Sequence, residues 1–314
     1  MANGQHDVDV TPTVGIVGGY GGIGSLFARI LSEAGATVLV SDRDTALSNV
    51  EVAARSDLTL VAVPLRATPS VLAEVASHVR PDAALSSLGS LMEPSLPALE
   101  RRAGETFLLH PLFGPGRREL RGAALALAPI RGAHRRDWLA RLLHAQGARL
   151  VMTTPEEHDR AMAGAQALLH GVYAALAPEI IATLPGEDPL AWATPTLRLQ
   201  LALMSRILRQ DPALYGDLLA LNRHTPLVLD RLIARLAALR AAALDGPDVV
   251  AALFKAARDD VGSLGPTLAT EADEALGEGR APRTPARARL ASFAEDWDSP
   301  EMDVYDTGYT SSGQ

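Results

Sequence analysis

Hydrophobic residues fall in short dense runs over the first half of the chain and in long periodic stretches over the second. TVGIVGG, ATVLVSD, DLTLVAVP, AALSSLG, TFLLHP and AALALAP are brief apolar runs of strand length, several of them bounded by glycine or proline. SLFARILSEAG, between the first two, places its apolar residues at helical spacing and ends on Gly35, a suitable C-cap. Pro64 stops the third run. Strands that alternate with helical segments predict a parallel sheet covered on both faces, and hence an α/β domain over residues 13–153.

Beyond residue 153 the pattern changes. PEEHDRAMAGAQALLHGVYAALAPEIIATL has helical periodicity with a proline at its start. PTLRLQLALMSRILRQ, DPALYGDLLALNRH, PLVLDRLIARLAALRAAAL and PDVVAALFKAARDDV follow, and none alternates as a strand does. Residues 154–278 therefore read as an all-helical domain. Its Ala/Leu helices carry more apolar surface than one small bundle needs, so the surplus is expected to form the interface of a homodimer. Residues 1–12 read as a disordered N-terminus. Residues 279–314, rich in Arg and Pro and then acidic, read as a loosely packed tail.

Composition narrows the function classes. With 314 residues, 47% of them hydrophobic, the chain can build two modest cores. A net charge of −8 argues against nucleic acid as the main partner. No run reaches the ~18 apolar residues of a membrane span, and MANGQHDVDVTPT is too polar for a secretory signal. There is no cysteine, hence no disulfide framework and no thiol nucleophile. Together these lead to the expectation of a cytoplasmic protein without a membrane partner. Lys255 is the only lysine.

The first glycine cluster carries specific chemistry. Gly19-Tyr20-Gly21-Gly22-Ile23-Gly24 follows a strand and opens a helix, and Asp42 ends the next strand. That is the context of a Rossmann dinucleotide-binding turn. Gly19 is expected to make the tight turn, Gly21 to let backbone approach a pyrophosphate, and Gly24 to pack helix on strand. Asp42 would accept the adenosine ribose hydroxyls and repel a 2′-phosphate, which favours NAD; Arg43 beside it weakens that preference. Val63 and Pro64, where the third strand ends, join the expected cofactor site.

Eight histidines occur. His6, His78, His134 and His144 stand in polar contexts, and His224 in a loop between helices. His110 ends a sheet strand, where open α/β sheets bind their ligands. His158, flanked by Glu156, Glu157 and Asp159, reads as solvated or capping. His170 stands in an apolar segment, as a core histidine or a pocket residue. Arg198 and Arg206 lie among leucines and alanines without an acidic neighbour, so a substrate carboxylate or a salt bridge to another helix is expected to pair with them. No metal motif and no G-x-S-x-G elbow is present.

Taken in order, the glycine turn, HPLFGP, EEHDRAMAGAQALLH and PTLRLQLALMSRILRQDPALYGDL resemble prephenate dehydrogenases, from about Val14 to Leu276. The likeness is strongest to the dehydrogenase half of bacterial chorismate mutase–prephenate dehydrogenases, and residues 1–12 leave no room for the mutase. The resemblance implies a Rossmann domain followed by a helical dimerisation domain, with NAD as cofactor and a cyclohexadienyl pyruvate as substrate. Hydride would leave ring C4, and the ring carboxylate would depart as carbon dioxide. By the same resemblance His110 accepts the proton of the C4 substituent and Ser90, after the fifth strand, supports it. Arg206 binds a substrate carboxylate, and His170 becomes a substrate-pocket residue.

One departure bears on the substrate. Where the family carries S-x-K, this chain has Ser90-Leu91-Met92. Arginine bias does not explain the change, since the position holds methionine. Prephenate has a neutral C4 hydroxyl, whereas 4-amino-4-deoxyprephenate has an amine that is protonated in water. A lysine about 4 Å from an ammonium costs about 1 kcal/mol in water and about 4 at an effective dielectric of about 20. Its replacement by Met92 points to the amino substrate, with 4-aminophenylpyruvate as product in a natural-product pathway. Prephenate and arogenate remain alternatives, as do a catalytically silent nucleotide-binding protein and an unrelated NAD(P) reductase on the same plan.

Overall fold

The computed structural model describes residues 11–114, 116–186 and 188–276. The expected tail and nearly all of the N-terminal segment lie outside them. The chain divides into two compact units, one running to Met162 and taking in Gly216–Leu221, the other formed by Ala163–Tyr215 and the residues from Asn222.

The first unit is built in the order β1 (Thr13–Val17), α1 (Gly22–Glu33), β2 (Thr37–Ser41), α2 (Asn49–Arg55), β3 (Leu58–Val61), α3 (Thr68–Ala76), β4 (Ala84–Ser87), α4 (Leu96–Glu100) and β5 (Thr106–Pro111). It continues with β6 (Ala124–Arg131), α5 (His134–Ala145), β7 (Arg149–Met152) and α6 (Pro155–Met162). All six apolar runs are strands. β7 has no such signal, because it is a half-exposed edge strand of four residues that begins with arginine. The sheet order is β2-β1-β3-β4-β5-β6-β7.

The sheet is not wholly parallel, which corrects the expectation from alternation. β1 to β5 pair in parallel, but β6 runs antiparallel to β5, with His110 opposite Ala126. A parallel return needs a crossover, usually helical. Among the described residues the segment between β5 and β6, which contains FGPGRREL, holds no helix, so the chain turns back beside its own strand. β7 again pairs in parallel, through α5.

Both faces of the sheet are covered, so the interior strands read as continuous apolar runs. Successive residues divide between two cores. Ile16, Leu60 and Phe107 pack with Phe27 and Ile30 of α1, while Val17, Val61 and Leu108 pack with Val52 of α2 and Leu72 of α3. Strand order reverses at β1, and a ligand crevice is expected at the carboxyl ends of the strands there.

The second unit is helical. A π-helical turn (Ala163–Leu168) leads into α7 (Leu169–Thr183), followed by α8 (Pro195–Leu208), α9 (Pro212–Leu221), α10 (Thr225–Asp245), α11 (Pro247–Val261) and α12 (Leu264–Leu276). Prolines stand in the first turn of α8 to α11, where a missing N–H costs nothing, and Thr194 and Asp211 cap two of these helices. Its own core is small: Ala177, Leu201 and Met204, with Tyr173, Ile180 and Leu197 against them. By length and mean hydropathy the continuous helix Pro155–Thr183 would suffice to cross a membrane, although no single run predicted it.

Candidate functional site

The glycine turn occupies the crevice that the topology forms. The left-handed residue is Gly18, at φ 82°, not Gly19. Gly19 is constrained differently, because a Cβ there would lie 2.5 Å from Val40 Cγ1. A Cβ on Gly24 would meet the Gly18 carbonyl oxygen and the Gly19 Cα, so α1 rests directly on the turn. A Cβ on Gly21 would meet its nearest atom at 3.4 Å, leaving room above the backbone. Gly21 is the N-cap of α1, has no side-chain cap, and is followed by no acidic residue in the first turn. Gly22 and Ile23 thus begin a helix whose N–H groups and dipole suit an anion. Asp42, just after β2, accepts Tyr20 N–H at 3.0 Å and Arg43 N–H at 2.8 Å. Tyr20 and Arg43 are exposed, and Val63 and Pro64 follow β3 at the same end of the sheet. These residues fit a dinucleotide, with the pyrophosphate at Gly21–Ile23 and a ribose at Asp42.

His110, at the carboxyl end of β5, is 3% exposed. Its Nδ1 lies 2.9 Å from Nε2 of His158, the rings meeting edge to face at 5.0 Å between centroids. His158 is also 3% exposed, and its Nδ1 lies 2.7 Å from Oδ1 of Asp159. Asp159, 1% exposed, accepts the backbone N–H of Met92 at 2.8 Å and of Glu93 at 2.9 Å. A chain of hydrogen bonds therefore runs from the loop after β4 through α6 to the end of β5. Burial above all pushes His110 down to about 3 from its ordinary value of 6.5, so the imidazole is neutral near pH 7.

This placement overturns the reading of His158 as solvated or capping. The cap of α6 is made by Thr154 and Glu157, each bonding the other's backbone N–H, and Glu156 pairs with Arg160. With those roles filled, His158 and Asp159 turn inward. The sequence signal was there in the adjacent His-Asp pair, but their acidic surroundings pointed to solvent. The same contacts tie α6 to the first unit, which runs to Met162.

Two other expected site residues lie differently from their expectation. Ser90 follows β4, not a fifth strand, and makes no hydrogen bond to His110; the partner of His110 is His158. The Met92 side chain is 1% exposed and belongs to the apolar core beneath the sheet. What position 92 offers the hydrogen-bonded chain is its backbone N–H. Asp217, in the part of α9 that belongs to this unit, accepts Arg66 Nε at 2.9 Å.

In the second unit, His170 stacks edge to face with Tyr215 at 4.8 Å, and the Tyr215 hydroxyl donates to Gln210 Oε1 at 2.7 Å. His170 Nδ1 is buried without a hydrogen-bond partner. Burial lowers its proton affinity and raises Tyr215 to about 12, the latter opposed by the charge of Arg206. His170, Tyr215, Gln210 and Arg206 thus form a polar patch inside an apolar helical unit. Arg198 is exposed on α8, so solvent meets its charge and burial cost does not arise. The apolar surplus is evident: α10 buries only Thr225 and Ala242, and α11 buries no residue. Ile233 is 62%, Leu236 55% and Phe254 67% exposed. An open apolar groove of about 690 Å³ lies among Ala177, Pro178, Ile181, Leu190, Leu201 and Leu208.

Comparison with known proteins agrees with this fold. Residues 30–152 match the family model described as prephenate dehydrogenase, nucleotide-binding domain, and residues 154–248 the one described as prephenate dehydrogenase, dimerization domain. A protein of Methanocaldococcus jannaschii named "Probable arogenate/prephenate dehydrogenase" is 30% identical over 231 residues, 67% of this chain and 52% of that one. The chain thus spans about half the length of that relative. The 4-amino-4-deoxyprephenate dehydrogenase of Streptomyces pristinaespiralis is 26% identical over 274 residues, covering 81% of this chain and 92% of that one. Among solved structures, prephenate dehydrogenase from Aquifex aeolicus, in complex with hydroxyphenyl propionate and NAD+, shares the fold with a TM-score of 0.64. It is 20% identical, over 80% of this chain and 97% of that one. With both of its domains matched in order, the chain belongs to the prephenate dehydrogenase family.

Proposed function

We propose that the protein catalyses the NAD-dependent oxidative decarboxylation of a prephenate-type cyclohexadienyl pyruvate. The observation that carries this reading is His110: a buried, neutral imidazole at the carboxyl end of a sheet strand, in the unit that also holds the dinucleotide turn. The Gly18–Gly24 backbone and Asp42 hold the cofactor, which supplies the hydride acceptor when bound. His110 accepts the proton of the C4 substituent as hydride leaves C4. Arg206 pairs with a substrate carboxylate as a fixed cation, and His170 lines the pocket. As the ring carboxylate departs, its bonding electrons enter the ring and make it aromatic, so no protein electron sink is needed. The apolar face of α10, on a segment that matches a dimerization domain, and that of α11, which follows it, are those of a homodimer.

Within that class we place 4-amino-4-deoxyprephenate first. One observation supports it. The relative bearing that activity aligns along 92% of its own length. Prephenate and arogenate are the second reading, favoured by the "Probable arogenate/prephenate dehydrogenase" relative. Steady-state kinetics on the candidate substrates, with NADH and carbon dioxide both measured, test the proposal. Stoichiometric carbon dioxide and NADH are expected, with kcat/KM highest for the amino compound. NADH without carbon dioxide would overturn the reaction class, and a kcat/KM for prephenate equal to or above that for the amino compound would overturn the substrate.

A further inference from the structure

His110 can serve as a base only if the ring nitrogen facing the substrate is bare, and a neutral imidazole has one bare nitrogen and one N–H. The buried chain behind it decides which is which. Asp159 takes two backbone N–H donors, from Met92 and Glu93, and is held as an acceptor. His158 must then present N–H from Nδ1, 2.7 Å from Oδ1. That leaves a lone pair on His158 Nε2, so the hydrogen of the 2.9 Å contact belongs to His110 Nδ1. His110 Nε2 is consequently the bare nitrogen, and no protein group among the described residues bonds to it.

We infer that His158, oriented by Asp159, is a positioning residue that holds His110 in the tautomer with Nε2 unprotonated. The inference rests on His110 being the base and adds what makes it one. A proton arriving at Nε2 leaves positive charge on a ring that burial disfavours. The His110 Nδ1–H bond to His158, with the Asp159 carboxylate beyond it, gives that charge a compensating partner along a dry path. The logic is that of a base–orienter pair, in which the wrong tautomer alone lowers kcat by about four orders of magnitude.

Two substitutions separate orientation from packing. In His158→Gln, the amide N–H faces the Asp159 carboxylate, so the amide oxygen faces His110 and still accepts Nδ1–H. His158→Leu fills a similar volume and offers no acceptor. We expect His158→Gln to keep kcat within about tenfold of the parent and His158→Leu to lose about 100-fold or more in kcat, with KM for substrate and NAD little changed. Nitrogen-15 NMR of the histidine rings in the NAD complex should show His110 Nε2 unprotonated in the parent and in His158→Gln. A protonated Nε2 in the parent overturns the inference, and needs no variant to fold. So does a leucine variant as active as the glutamine variant. Failure of the underlying reading looks different: His110→Asn would retain turnover, whatever the tautomer.

Discussion

His110 shows how far one residue can be read from its neighbours in the chain. The run LLHP placed it at a strand end, and the structure adds burial and a partner, His158, that comes from 48 positions later. His110→Asn should lower kcat by about 10²- to 10⁴-fold while NAD affinity, measured by fluorescence titration, changes little. Its titration has a defined sign. The active form is the neutral ring, and burial holds its proton affinity down, at about 3. The acid limb of kcat/KM should therefore lie well below pH 6.5, and a limb at 6.5 or above would contradict a buried base. The same shift acts on stability. Between pH 6.5 and about 3 the unfolded chain binds a proton that the folded chain does not, so stability rises with pH across that window and is lost as pH falls. Urea midpoints should fall more steeply below pH 6.5 in the parent than in His110→Asn. Met92 was identified as the place of a missing cation, but its side chain is in the core, which no local pattern distinguishes from a pocket.

Helix ends and turns were the most legible elements because their signals are local. Gly24 and Gly21 make the point in opposite ways. Gly24→Ala would push a Cβ into the backbone of Gly18 and Gly19, so a loss of about 1–3 kcal/mol is expected, read as a lower melting temperature, together with weaker NAD binding. Gly21→Ala has room in the folded chain, its nearest contact being 3.4 Å. It should leave the melting temperature unchanged and weaken NAD about tenfold or more, because the Cβ occupies the space the pyrophosphate needs. If both variants behave alike, the turn is structural only. The antiparallel β6 and the edge strand β7 were not legible. Strand direction depends on what the connection can span, and β7, at four residues, is too short to announce itself.

For the whole molecule, the exposed apolar face of α10 predicts association. Ile233 and Leu236, three residues apart, share a helix face. Ile233→Glu with Leu236→Glu should shift sedimentation from dimer to monomer, and a parent that sediments as a monomer at all concentrations would remove the dimer. Hydrophobic periodicity alone separated an α/β half from a helical half, and the glycine spacing with Asp42 marked the first strand–turn–helix. These are local properties: period, cap and turn chemistry act over a few residues. The inward turn of His158 and Asp159, the partner of His110 and the burial of Met92 required the fold. Each depends on which strand end meets which helix face, and on desolvation, which has no meaning until the chain has closed around the group.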